Sequence, residues 1–370
     1  MATRRISDGP ASYLPQNDIA RRQELIWQIH TLSETSNWDG TLKTTSRKAV
    51  FWGLLHTLDI TGLSNLLEQT RKNSEDRDRF PRSRAVFDIA YRCGTLPRIF
   101  IGQPGEAKEG DVQRSSVEPA RARERDDRRC IITGWPGTLE VCHIFPFHAI
   151  NRLDDTKEAI LDMSNVWGVD RIQELRRRLC YSSANIIGTA ANMLCMDRAA
   201  RKMWSQGLFA LEPMEDNIDH WEDDYNFVEM TGTDGRRPKV MIYGIQLRFH
   251  WLKRTTLQSP VARADFAAHP RELWRHEEEP QLQSCLFDTN NRPIESGRII
   301  KVFARDKAWL PDKEILRLQW DLLRMHALMG RADPNIYESA FTFNQLKEVD
   351  WVAFRERRRQ WLDNCFWEDS

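Results

Sequence analysis

Nowhere in the 370 residues does a C-x-x-C pair occur, no apolar run approaches membrane-spanning length, and neither sign of charge prevails. The cysteines, Cys93, Cys130, Cys142, Cys180, Cys195, Cys285 and Cys365, are odd in number and dispersed. That excludes a disulfide framework and a structural zinc knuckle, and it fits a reducing compartment. A membrane span needs about 18 consecutive apolar residues, and the N-terminal arginines have no apolar segment behind them to make a signal peptide. Lys plus Arg and Asp plus Glu stand at 54 each, so any surface for nucleic acid must be local rather than global, and no membrane partner is expected. These absences describe a soluble chain, cytoplasmic or nuclear. What is present is a large apolar fraction, 41%, enough for one large or two medium domains. Fourteen tryptophans are expected mainly in the core, since large aromatics contribute heavily to burial.

Residues 17–33 place Ile19, Leu25, Ile26, Ile29 and Leu32 near one helical face. Residues 46–70 repeat leucines and other apolar residues at helical spacing, which predicts one or two helices with a break near Thr61-Gly62. A polar run, 71–84, precedes the apolar stretch 85–91. Residues 102–122, rich in Gly, Pro, Ser and charge, read as a linker. Cys130 to Thr133 and Leu139 to Phe145 flank the turn residues Gly134-Trp-Pro-Gly137, the pattern of a β-hairpin with His143 near the end of its second strand. A helix over 165–181 carries Arg176, Arg177 and Arg178. Asn192 leads through a short apolar segment into a helix that stops at Gly207. Strands are expected at 208–213, 239–252 and 298–304, a helix at 314–330, and a charged helix or tail at 354–361.

A hairpin ending in histidine, then an asparagine, then a helix is the order of parts in a ββα-metal nuclease. Such a site needs a neutral imidazole to take a proton from water and an amide to hold that ring in the right tautomer. It also needs a divalent cation to stabilise the phosphorane and the leaving oxygen. Three segments, Arg128-Arg-Cys-Ile-Ile-Thr-Gly134, Glu140-Val-Cys-His-Ile-Phe-Pro-Phe147 and Asn192-Met-Leu-Cys-Met-Asp-Arg-Ala-Ala-Arg-Lys-Met-Trp204, together with Gly207 to Pro213, resemble the HNH endonuclease domain in the form common in fungal genomes. Ile245 to Leu252, Ile294 to Gly297 and Leu310 to Trp320 look like the segments that follow it, so the resemblance spans 125–333. It implies that His143 stands at the general base and Asn192 at the middle asparagine. The third signature position, a metal-binding histidine in active members, is Arg201, which has five donors and no lone pair to offer a cation. The residue before the base is Cys142, which leaves one weak candidate metal ligand.

Three readings follow. In one, metal-dependent hydrolysis of DNA survives with Cys142, Asp197 or His148 recruited as ligands, although oxygen-seeking divalent cations disfavour single thiolates. In another, the fold is kept and the metal lost, with Arg201 holding a phosphate or carboxylate where the cation sat. In the third, His143 and Arg201 serve a small-molecule reaction, for example in a fungal secondary-metabolite pathway. Arg176, Arg177 and Arg178 are the candidates for local phosphate contact. Each residue also has a plainer reading: His143 as a core histidine, Asn192 as a helix cap, Arg201 as a surface arginine, and the arginines of 121–129 as a solvated charged surface. The expected architecture is α+β, with a mainly helical region over 1–113, a central HNH-like ββα-metal module over 125–215, and a C-terminal extension of strands and helices over 216–370 packed on it.

Overall fold

Helices come first along the chain, then a short strand pair interrupted by helices, then a longer sheet closed by one more helix. The computed structural model describes residues 13–15, 18–35, 48–75, 89, 93–101, 115–181, 185–223, 239–257, 263–274 and 286–330. Most of the expected linker, most of the stretch 71–91 and the expected C-terminal helix at 354–361 lie outside them.

The N-terminal helices are α1 (Ile19–Thr35), α2 (Ala49–Thr57), α3 (Ile60–Glu75) and α4 (Thr95–Ile101). The break in the second expected helix falls at Leu58-Asp59 rather than at Thr61-Gly62. Asp59 explains the position: its Oδ1 accepts from Gly62 N at 2.7 Å, so the carboxylate starts α3 and the glycine lies inside it. Next comes α5 (Val117–Arg125), where a charged linker and surface were expected. The side chains of Arg125 and Asp126 are in fact fully buried and paired at 2.7 Å. Arg125 also donates to the carbonyls of Ala190, Met193 and Trp309 at 2.9, 2.7 and 2.7 Å, while Asp126 accepts from Cys195 N at 2.8 Å.

Strand β1 (Leu139–His143) follows, but its partner is not the segment 130–133, which is turn. β1 pairs antiparallel with β2 (Met193–Asp197), from Leu139 opposite Asp197 to His143 opposite Met193. The segment Cys130–Thr133 folds back on itself because Gly134 N bonds the Cys130 carbonyl at 2.7 Å. Between the two strands run α6 (Leu153–Asp162), α7 (Ser164–Trp167) and α8 (Val169–Leu179). The single helix expected over 165–181 is thus divided at Gly168, whose φ of 80° is ready only for glycine. Helix α9 (Arg198–Ser205) leaves β2 directly, completing a ββα unit.

The long strand β5 (Lys239–Trp251) organises the rest. β3 (Phe209–Asn217) and β4 (His220–Asp223) pair with it in succession, with a register shift between Pro213 and Asn217, and β6 (Ile299–Ala304) takes its other edge. Helix α10 (Lys313–Leu328) packs on β3, α2 and α4. The five apolar residues expected to drive it, Ile315, Leu318, Leu322, Met325 and Met329, are all buried. Asp312 caps it by accepting from Glu314 N and Ile315 N at 3.0 and 3.1 Å. One hydrophobic cluster runs from Tyr13 through Phe51, Phe145 and Phe249 to Met329, so the described N-terminal helices, the ββα unit and the C-terminal sheet share a core. The fold is α+β, helical first, with the ββα unit in the middle. No helix among the described residues is long and apolar enough to cross a membrane.

Candidate functional site

His143 closes β1 opposite Met193 of β2, and Asn192, immediately before β2, fastens the residues that follow it. The carbonyl of Asn192 accepts from Ile144 N at 2.8 Å. Its buried side chain reaches one residue further: Oδ1 accepts from Phe145 N at 2.7 Å, and Nδ2 donates to the carbonyls of Phe145 and Ile187, both at 2.8 Å. Both amide hydrogens are therefore spent on backbone. These bonds fix Phe145, two residues after His143, and none of them goes to the imidazole that the amide was expected to orient. Nor does Asn192 cap the helix. Asp197 does, with Oδ1 accepting from Ala200 N at 2.8 Å. The His143 ring is half-buried and lies 5.2 Å from the ring of Phe147.

Strand alternation puts Glu140 and Cys142 on one face of β1 and Val141 and His143 on the other. Val141 joins a small cluster with Ala122, Ala190, Met193 and Cys195. On the other face, Arg201 of α9 forms an ion pair with Glu140. The position where the resemblance places a metal-binding imidazole thus presents a guanidinium already held by a carboxylate.

The remaining candidate ligands are engaged as well. Burial, with Cys130 and Asp197 nearby, pushes the Cys142 thiol up to about 12, so it stays protonated near neutrality and is no thiolate ligand. Cys142 Sγ donates to the Glu140 carbonyl at 3.6 Å. Besides its cap, Asp197 accepts from Thr133 Oγ1 at 2.9 Å. His148 Nε2 is 3.1 Å from the Ile99 carbonyl, which ties it to α4. Among the described residues no three His, Cys, Asp or Glu side chains converge to hold a metal ion. The side chains present at this site do not fit a divalent cation.

The arginines of α8 are not gathered around His143. Arg176 is buried. Arg177 donates to both oxygens of Glu174 at 2.9 and 2.7 Å, and Arg178 pairs with Glu174 and with the α10 cap Asp312. Glu174 is held down at about 2 by hydrogen bonding and charge from Arg177 and Arg178 against the cost of burial. Two carboxylates therefore absorb most of what the sequence offers here as a basic patch. The residues that sequence reasoning missed are Arg125 and Asp126, which fasten the start of β2 from α5. The only available signal was their adjacency at a helix end, which a surface pair shares.

No curated protein and no solved structure matches the chain. A family model does: residues 130–212, which contain β1, the interposed helices, β2 and α9, match that of the HNH endonuclease.

Proposed function

We propose that the chain is a protein of the HNH endonuclease fold, of the form common in fungal genomes, whose ββα unit no longer works as a metal nuclease. In this reading the chain divides into a mainly helical region 1–113, an HNH-like module 125–215 and an extension 216–370 packed on that module. The observation that carries the proposal is the Arg201–Glu140 ion pair at the position of the helix ligand. A guanidinium offers no lone pair and stays charged at any working pH, so it opposes a cation rather than binding one. The protonated state of Cys142 supports the same reading, because the residue beside the base then supplies no charge to a metal. His143 stands at the end of β1 in the position of the general base, but with no metal-holding group beside it among the described residues nothing there would stabilise the phosphorane or the leaving oxygen. In this reading Arg178 braces α8 to the cap of α10 and Arg177 is held by Glu174 of its own helix, so the arginines do not form a phosphate track.

The test is plasmid cleavage by the full-length protein with Mg²⁺, Mn²⁺, Ni²⁺ or Zn²⁺, beside His143→Ala and Arg201→His. No cleavage by the wild type is expected. Gain of cleavage in Arg201→His would locate the loss at that residue. Cleavage by the wild type that His143→Ala abolishes would overturn the proposal in favour of an active metal-dependent endonuclease.

A further inference from the structure

Segment 263–274 crosses α1 and α2 with little regular structure of its own. Bridges tie its ends, Arg263 to Lys48 and Trp274 to Thr255, and Thr256 N bonds the Leu273 carbonyl at 2.7 Å. Side chains hold the stretch between. Gln23 Nε2 of α1 donates to the carbonyls of Phe266 and Ala267 at 3.1 and 3.2 Å. Phe266 is buried, stacked on His30 with centroids 4.2 Å apart and tilted against Phe51 at 6.1 Å.

Two histidines meet where this segment crosses α2. His56 is buried, its ring 4.5 Å from that of Trp52 and 6.5 Å from that of His269. Its Nε2 has no hydrogen-bond partner among the described residues. His269 is half-buried, and its ring serves as a cap. Nδ1 accepts from Arg271 N at 3.2 Å while Glu272 Oε1 accepts from His269 N at 3.3 Å, which closes a capping box on the single turn Pro270–Leu273. An accepting Nδ1 needs a free lone pair, so this cap exists only while the ring is neutral. A proton there would face the Arg271 N–H, donor against donor.

The surrounding charges oppose that proton. Buried Arg22 of α1 donates through Nη2 to the His56 carbonyl at 3.2 Å, and Asp59 and Arg324 act on Arg22 with opposite signs. Burial, then His269 and Arg22, hold His56 well below its ordinary value. Burial, with Arg271 and Arg22 outweighing Glu272, lowers His269 too.

We propose that 263–274 is an acid-released strap: a proton on His269 dissolves the cap, the segment lifts from α1 and α2, and the His56 ring it uncovers takes a second proton that holds it off. His269 acts first because it is the more accessible ring. Both rings are neutral under the docked strap and titrate near about 6.5 once it lifts, so docking is at full strength above that pH and weakens as pH falls. The ββα unit takes no part, and either result of the plasmid assay leaves this proposal standing.

The experiment is hydrogen exchange with mass spectrometry on the full-length protein at pH 7.5 and 5.5, with rates corrected for the intrinsic pH dependence of amide exchange. One proton taken up raises the opening constant by up to about tenfold per pH unit and two by up to about a hundredfold. The opening constant of 263–274 should therefore rise by more than about tenfold, while that of α10 changes by less than about threefold. His269→Asn keeps an acceptor for the cap that does not titrate, and His56→Gln keeps a polar side chain that does not ionise. Each should cut the rise to about tenfold or less, and the double variant should abolish it. A rise under about threefold in the wild type, a rise shared in full by α10, or one that survives in the double variant overturns the proposal. The wild-type comparison of 263–274 with α10 decides it even where a variant docks the strap poorly at pH 7.5.

Discussion

Replacing Asn192 by alanine should cost more stability than almost any other single truncation in the ββα unit. Its amide makes three hydrogen bonds at 2.7, 2.8 and 2.8 Å, and the side chain is wholly buried. Asn192→Ala strands the Phe145 N–H and the carbonyls of Phe145 and Ile187. An unsatisfied buried group costs about 1–3 kcal/mol. Carbonyls have a second lone pair and the vacated volume is small, so the lower half of the range applies to two of the three, giving about 3–7 kcal/mol in all. Against a typical folding stability of about 5–15 kcal/mol, that is a large share. Asn192→Asp sharpens the test. It has nearly the same volume and retains an oxygen for Phe145 N, but it turns a second oxygen toward two carbonyls, so it should be at least as damaging as alanine. Guanidinium denaturation followed by tryptophan fluorescence and far-ultraviolet circular dichroism measures both. A loss under about 1 kcal/mol for Asn192→Ala, or an Asn192→Asp variant as stable as the wild type, would refute the role assigned to this amide.

Arg125→Met should destabilise by about 3–5 kcal/mol, because it leaves the Asp126 carboxylate buried without its counter-charge; chemical denaturation reads it directly. Arg201→Ala should change stability by less than about 1 kcal/mol, since the Arg201–Glu140 pair is solvent-accessible. A double-mutant cycle with Glu140→Ala that gave a larger coupling would contradict this. Burial, with the charges of His269 and Arg22 nearby, holds His56 well below the ordinary histidine value of 6.5. The folded state therefore keeps this ring neutral, whereas the unfolded chain protonates it. Its contribution is fully present above about pH 6.5 and declines as pH falls, by up to about 1.4 kcal/mol per pH unit for one proton. Urea titrations at pH 7.5 and 5.5 should show a smaller pH-dependent loss in His56→Gln than in the wild type.

The sequence made the periodic elements legible. Helices α1 and α10 and strands β5 and β6 emerge close to their expected limits, because each carries an uninterrupted apolar pattern and meets the same core along its length. What it concealed was pairing. Cys130–Thr133 has strand-like residues and a turn beside it, yet β1 takes as its partner the equally apolar segment 193–197. Nothing local distinguishes two candidate strands of similar composition. Only Arg125 and Asp126, which bond to Met193 and Cys195 from α5, favour one of them. The same limit hid the fate of the charges. Arg177 and Arg178 read as a patch although Glu174, one turn back on the same helix face, and Asp312, far along the chain, neutralise them. His143, Asn192 and Arg201 could be named from their order, but the object held by Asn192, a backbone rather than a ring, is a matter of tertiary geometry.

The separation of β1 from β2 also governs when this part of the molecule can form. A local hairpin zips in about 1–10 μs, but here the whole of 144–192 must be closed before the first ladder bond forms, and the entropy of that closure precedes any reward. Helices α6 and α8, which contact each other, shorten the loop as they dock. The expectation is that they belong to the folding nucleus and that the strand pair consolidates after the transition state. Leu175→Ala in α8 should therefore slow folding, and Val141→Ala in β1 should mainly speed unfolding. The imidazole at the end of β1 is then among the last groups to reach its native surroundings during folding, and among the first to leave them when the chain opens.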